Sequence, residues 1–392
     1  MSLTDSAARL GNYITTSFGD ERVRAYVPRP LPPKPALRLD LLLSRIEDAN
    51  RALGRLDGVT SILPDPSLFI YMYVRKEALF SSQIEGTQSS LSDLLLFESA
   101  EAPGVPLDDV EEVSNYVAAM NFGLDRLRGG FPLSLRLIRE IHAVLLAKGR
   151  GSTKEPGEFR RTQNWIGGTR PGNAVFVPPP PDKLMECLDA FERFLHVQEK
   201  GLPTLIKAAL AHVQFETIHP FLDGNGRLGR LLITFLLVAE GALQEPILYL
   251  SLFFKTHRQR YYDLLQKVRE EGDWESWLDF FLEGVSQTST QAADTAREML
   301  ALFDADRAKI EGLGRPAASA LRVYHLIQKR PFLAVPAAAE GLKLSEPTVA
   351  KSVQHLVDLD ILAETTGRTR KRLYVYTRYL DILSRGTEPL PR

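Results

Sequence analysis

His219-Pro220-Phe221-Leu222-Asp223-Gly224-Asn225-Gly226-Arg227-Leu228-Gly229-Arg230 packs a histidine, a carboxylate, an amide, three glycines and two arginines into twelve residues. The stretch lies between two segments with helical apolar spacing, Leu202 to Thr217 and Gly226 to Glu240. Glycines there free the backbone to aim N–H groups at an anion, where a helix N-terminus carries partial positive charge. Arg227 and Arg230 stand about one helical turn apart, placed to meet further oxygens of a polyphosphate. His219 reads as a general base. Asp223 reads as a ligand for one Mg²⁺, an ion that keeps most of its waters and needs few protein groups. Asn225 adds an amide donor for a phosphate oxygen. Plainer readings exist for each: a structural histidine, a helix cap, a turn residue, surface charges. Together the residues have the layout of a site that moves a phosphorus group.

Gly224 to Gly229 also fits G-x-G-x-x-G. That fingerprint needs a preceding strand and an acid on a second strand about 20 residues later. Leu205-Ile206-Lys207-Ala208-Ala209-Leu210-Ala211-His212 has helical spacing instead, so the match is set aside. What the two patterns share is glycine letting backbone approach phosphate.

Outward from the loop, helical periodicity dominates. It predicts helices over Leu37–Gly54, Asp65–Phe80, Leu91–Leu96, Leu107–Gly123, Ser134–Leu146, Pro181–His196, Gln259–Glu270 and Trp274–Leu302. The first 27 residues read as loosely structured. Pro28-Arg29-Pro30-Leu31-Pro32-Pro33-Lys34-Pro35 lacks most amide donors and reads as an extended arm on the body; a ligand for a proline-binding domain is the sharper alternative. Asn164–Gly168 and Ala174–Val177, joined by Thr169-Arg170-Pro171-Gly172-Asn173, read as a small β-hairpin. It is either a covered loop or an edge on which another chain can pair. Gly312-Leu313-Gly314-Arg315-Pro316 reads as a linker. Beyond it, helices at Ala317–Gln328, Val335–Gly341 and Glu346–Asp358, the last capped by Ser345, precede a two-stranded ribbon. That order describes a winged helix. The expected units are 1–110, 111–311 and 312–392.

Net charge is −1, so any nucleic-acid binding must come from a local patch. Cys187 is the only cysteine, which excludes an internal disulfide and fits a reducing compartment. Neither a signal peptide nor a membrane-spanning run is read, and a cytoplasmic protein with no membrane contact is expected. No His/Cys/Asp/Glu spacing suggests zinc.

His219 to Arg230 resembles the signature of the Fic (Fido) family, H-x-F-x-(D/E)-G-N-G-R-x-x-R, and matches every defined position. Pro156-Gly157-Glu158-Phe159-Arg160 and the hairpin up to Pro178–Pro181 resemble the segment leading into that family's target-binding flap. Ser81-Ser82-Gln83-Ile84-Glu85-Gly86 resembles its autoinhibitory motif, (S/T)-x-x-x-E-(G/N), placed N-terminal to the core. The likeness covers about residues 25 to 385, including the proline arm and the winged helix of longer bacterial members. It implies a mainly α fold: a Fic-type helical bundle with a β-hairpin flap, plus a C-terminal winged-helix domain. It further implies a protein adenylyltransferase that moves AMP from ATP to a Ser, Thr or Tyr hydroxyl of a target protein, with self-modification as one outcome.

In that scheme His219 takes the hydroxyl proton, and Mg²⁺ on Asp223 bridges phosphates. Gly224, Asn225, Gly226, Arg227, Leu228 and Gly229 line the phosphate site with their backbone. Arg227 and Arg230 orient the β and γ phosphates. Tyr261-Tyr262 is similar to a tyrosine pair the family sets against the nucleotide, although a core role fits as well. Glu85 pairs with Arg230 to inhibit, and Val175, Phe176 and Val177 dock the target. Two alternatives stay open. An acid at Glu85 can orient a water to remove AMP, as in some relatives. The winged helix can instead make a DNA-binding regulator: Ser345, Thr348, Lys351 and Ser352 would face a groove, and Arg368, Arg370, Lys371 and Arg372 would form a basic wing tip. Winged helices also serve as protein-binding or dimerisation modules, so protein contact and a homodimer remain open as well.

Overall fold

A computed structural model of the 392-residue chain describes residues 6–19, 21–62, 66–98, 107–196, 202–365 and 372–390. The chain opens with an antiparallel pair, β1 (Asn12–Phe18) and β2 (Glu21–Val27), in register from Asn12↔Val27 to Phe18↔Glu21. This corrects the expectation of a loose N-terminus. Asn12–Phe18 is exposed along most of its length and lacks an apolar alternation, so its period says nothing. The proline arm follows as expected: the Arg29 carbonyl accepts from Gln214, and buried Arg9 donates to the Pro35 and Ala36 carbonyls.

The body is helical: α1 (Leu43–Ile62), α2 (Pro66–Ile84), α3 (Leu91–Glu98), α4 (Leu107–Arg128), α5 (Leu135–Leu145), α6 (Pro181–His196), α7 (Thr204–Ile218), α8 (Asn225–Ala239), α9 (Ser251–Thr256), α10 (Arg258–Glu271) and α11 (Trp274–Glu311). The helix α9 is too short for periodicity to reveal. The helix α7 is buried on every side, the condition of a central helix. It packs against α8 and α6, while α1 runs along α11. One continuous apolar core joins Phe80, Leu210, Leu232, Trp277 and Phe281. The expected boundary at residue 110 falls inside α4, and α2 packs on α4 and α9. The described residues contain no helix long and apolar enough to cross a membrane.

After α11 come α12 (Ala317–Lys329), β3 (Phe332–Ala334), α13 (Val335–Leu342), α14 (Glu346–Asp358), β4 (Ala363–Glu364), β5 (Leu373–Val375) and α15 (Thr377–Ser384). The sheet order is β3-β5-β4, all antiparallel. The ribbon therefore has a third strand, which at three residues is too brief to read from sequence. Ser345 caps α14 as expected, accepting from the Thr348 amide. Ser352 is buried and donates to the Thr348 carbonyl, so it does not face a groove. Arg368, Arg370 and Lys371 lie outside the described residues.

Candidate active site

The loop between α7 and α8 is built to hold His219. Pro220 cannot continue α7, and His219 caps it in the left-handed region, φ 48° and ψ 61°. A non-glycine residue adopts that conformation only where its surroundings impose it. Here the His219 amide donates to the Phe215 carbonyl at 2.9 Å. The His219 carbonyl accepts from Arg160 Nε at 3.0 Å and Asn164 Nδ2 at 3.1 Å. The Arg160 amide donates to the Pro220 carbonyl.

The imidazole Nδ1 lies 3.4 Å from the Glu216 carbonyl, which only an N–H can satisfy. That tautomer leaves Nε2 as the basic nitrogen. Burial, with the Arg269 and Arg160 charges, pushes the His219 pKa down to about 3. The ring is therefore neutral near pH 7 and able to take a proton.

His142 carries the other half of the loop. Its Nδ1 accepts from the Gly157 amide at 2.8 Å and its Nε2 donates to the Asp223 carbonyl at 3.0 Å. Its ring stacks on Phe221, centroids 3.7 Å apart. Burial holds its pKa down at about 4, which keeps this one-donor, one-acceptor tautomer intact. Phe221 is fully buried and anchors the loop in the core.

Gly224 sits at φ +76° before the first turn of α8, where L side chains are strained. The helix then opens with the amides of Asn225, Gly226 and Arg227, groups that an α-helix leaves without internal partners. Asn225 does not aim its side chain outward. Its Nδ2 donates to the Phe221 carbonyl and its Oδ1 accepts from the Phe221 amide, so it closes the loop instead of meeting phosphate. Leu228 is a core residue whose amide is used by the Gly224 carbonyl. Gly229 makes room for Glu216: a Cβ there would stand 2.4 Å from Glu216 Oε1. Both leave the phosphate-contacting set. Burial raises Glu216 to about 7.

Arg230 is buried and donates to Ser81 Oγ at 2.8 Å, the Ser81 carbonyl at 3.0 Å and Glu85 Oε1 at 2.7 Å. Gly226 permits the pair, since a Cβ there would lie 2.4 Å from Glu85 Oε1. Burial alone would raise the Glu85 carboxyl, but the charges of Arg230, Arg227 and Arg150 bring it below its ordinary value. Arg227 is also buried, 3.2 Å from Glu112 and 3.4 Å from Asp223. Asp223 is partly exposed and its Oδ1 also accepts from the Gly224 amide. Among the described residues no group of three or more His, Cys, Asp or Glu is placed to hold a metal. The fit for Mg²⁺ is thus one carboxylate beside a helix N-terminus, a donor set suited to an ion that arrives with nucleotide phosphates.

Tyr261 is buried, its hydroxyl 2.8 Å from His212 Nε2 and its ring against Phe254 and Trp277. It has the core role; Tyr262 is the partly exposed member of the pair. The expected flap hairpin reduces to one bridge, Ile166↔Phe176, around a 3₁₀ turn at Pro171–Asn173. Val175 is 67% exposed, while Phe176 and Val177 are buried. The burial comes from β2, whose Tyr26 amide donates to the Val177 carbonyl at 2.9 Å, and from Arg269, 4.1 Å above the Phe176 ring. Val23 and Ala25 pack with Val177, Trp165 and Ala174, and Glu21 pairs with Arg170. His142, Arg160 and Asn164 hold the loop, and Glu112 faces Arg227, from positions that no spacing in the sequence connects to it. Only Arg160, inside the Pro156–Arg160 segment, left a signal.

Residues 43–125 match the sequence model of the Fic/DOC family N-terminal region, and residues 132–237 match that of the Fic/DOC family. A protein named protein adenylyltransferase Fic from Aedes aegypti is 33% identical over 251 residues, covering 63% of this chain and 44% of that protein. Its namesake from Culex quinquefasciatus is 34% identical over 210 residues, covering 52% and 39%. The chain thus spans less than half the length of these curated relatives. The crystal structure of a Fic family protein from Desulfovibrio desulfuricans G20 has a similar fold, with a TM-score of 0.56 at 18% identity over 87% of this chain and 97% of that one.

Proposed function

Because the chain belongs to the Fic/DOC family through residues 43–125 and 132–237, we propose that it transfers AMP from ATP to a hydroxyl of a target protein. The observation that carries this reading is a neutral His219 fixed on the loop that leads into α8, the helix on which Arg230 pairs with Glu85. The name adenylyltransferase, borne by relatives about one-third identical, supports the same class.

In this reading His219 Nε2 takes the proton as a Ser, Thr or Tyr oxygen bonds to the α-phosphorus. The bond from α-phosphorus to the bridging oxygen breaks, and pyrophosphate leaves. First-turn amides of α8 hold the oxygens of the transferred group. Mg²⁺ held through Asp223 would offset charge on the leaving pyrophosphate. Arg230, once free of Glu85, orients the terminal phosphates; Arg227 keeps Asp223 in place and adds positive charge. Glu85 inhibits by occupying Arg230 donors that the γ-phosphate requires. Target backbone pairs along the flap at its exposed Val175 end, since β2 already holds Val177.

A cytoplasmic site of action is part of the proposal, as are self-modification and a winged-helix reading of residues 312–392. The winged helix rests on the order helix, strand, helix, helix, strand, strand with β5 central. The test is incubation of the Glu85→Gly protein with cell lysate and ATP, followed by mass spectrometry. Adenylyl groups on hydroxyl side chains are expected. A lysate whose proteins gain none would remove the reading.

A further inference from the structure

The residues after α15 return to the inhibitory turn. Arg385 is fixed to Glu298 of α11 by two hydrogen bonds. The chain then crosses the end of α2, and Thr387 is buried there. Gln83 Nε2 donates to the Thr387 carbonyl and to the Ser89 carbonyl, both at 2.8 Å. Lys255 of α9 donates to the Gly386 carbonyl at 3.0 Å and to the Glu388 carbonyl. Gln83 and Lys255 are themselves buried. Three successive carbonyls of the turn that follows α15 are thus gripped by two buried side chains, one of them two residues before Glu85.

We propose that residues 386–388 are a peptide bound in cis at a Gln83–Lys255 site, and that this latch holds the Ser81–Gly86 turn with Glu85 on Arg230. The inference rests on the inhibitory reading of Glu85 given above. Ser81 to Ile84 form the buried end of α2, and the turn beyond them is short. Its internal backbone bonds are Glu85 to Ser82, Gly86 to Gln83 and Thr87 to Ser82. Ser82 Oγ, Gln83 Oε1, Thr87 Oγ1 and Ser89 Oγ are buried without a protein hydrogen-bond partner. The polar ties to other elements include Arg230 to Ser81 and Glu85, Tyr116 to Ser81, Arg150 to the Glu85 carbonyl, Asp109 to the Gln88 amide, and the tail to Gln83. Arg385 alone separates the latch from α15, which packs on α3 and α11. A partner that repositions the C-terminal domain therefore pulls on the latch, and through Gln83 on Glu85. This is coupling through one shared element with two arrangements.

The test uses the full chain, with initial rates of self-modification from ATP labelled at the α-phosphate. Gln83→Leu and Lys255→Met each remove donors to the tail. Each is expected to raise the rate roughly two- to tenfold, the net worth of about one hydrogen bond. Neither should raise it further in a Glu85→Gly background, because both act through that carboxylate. A synthetic peptide of residues 384–392, added to protein truncated after Arg385, should lower the rate again. Wild-type rates in both point variants, with cooperative unfolding retained and Glu85→Gly active, would overturn the latch. Were Glu85→Gly itself inactive, the proposed function would fail first, and the two failures are distinct. If one point variant does not fold, the other and the peptide addition still decide.

Discussion

Replacing Glu85 with glycine is the most informative single perturbation of this protein. The carboxylate gives Arg230 one charge-assisted hydrogen bond of 2.7 Å, with the guanidinium 2% and the carboxylate 29% exposed. Such a bond contributes about 1.5–3 kcal/mol. An ATP γ-phosphate competing for the same donors meets that deficit, and tenfold in binding corresponds to about 1.4 kcal/mol. Productive ATP binding, and with it self-modification, should rise on the order of ten- to a hundred-fold. Arg230 is not orphaned by the change, because Ser81 Oγ and the Ser81 carbonyl still accept from it. Glu85 lies beyond the last helical residue of α2, so glycine costs no helix propensity, and thermal stability should change little. The Glu85 carboxyl is held below its ordinary value. Its pairing is thus present above the unfolded carboxyl pKa and lost only as pH falls through the folded one. Inhibition should not vary between about pH 6 and 8 on its account. The assay is incorporation of α-labelled AMP into the protein itself, wild type against Glu85→Gly and Glu85→Gln. Glutamine keeps an acceptor without charge and should fall between the other two. Equal rates in all three, or a glycine variant that simply unfolds, would mean that Glu85 does not restrain Arg230.

Other outcomes follow from the same geometry. Asp223→Ala should lose Mg²⁺-dependent turnover far more than it loses stability, checked by titrating Mg²⁺ at saturating ATP; an unchanged metal profile would transfer the role to another acid such as Glu216. His142→Ala removes the partners of the Gly157 amide and the Asp223 carbonyl, and should cost about 1–3 kcal/mol of stability while lowering kcat, measured by denaturant unfolding and pyrophosphate release. Glu216 is raised to about 7 by burial, so the stability it contributes is complete below the unfolded carboxyl pKa and is lost as pH rises through about 7. Glu216→Gln should flatten the decline of Tm between about pH 5 and 8, and an unchanged slope would mean that Glu216 is already ionised.

What could be read in advance divides along a physical line. Helices such as Pro181–His196 and Glu346–Asp358 were legible to the residue because each repeats an apolar face over several turns. The His219–Arg230 loop was legible because its chemistry is consecutive. The residues that hold the loop were not, since His142 reaches Asp223 from 81 positions away and Asn164 reaches His219 from 55. No spacing rule connects them. Within the loop, sequence says which groups are present but not where they point. Asn225 turns inward, Leu228 joins the core, and Gly229 is small for the sake of Glu216. The β1–β2 pair escaped for a related reason: β2 finds its buried partners on the flap, far along the chain, as Tyr26 and Val177 illustrate.

If His219 serves AMP transfer, the label that reaches protein comes from the α-phosphate and not from the γ-phosphate. Glu85→Gly protein, with and without His219→Ala, is incubated with Mg²⁺ and ATP labelled either at the α- or at the γ-phosphate, then denatured and counted. Protein-bound label is expected from α-labelled ATP only, reduced by about 10²–10⁴-fold when His219 is alanine, with ATP still bound. Label retained from γ-labelled ATP, or transfer undiminished without His219, would contradict it.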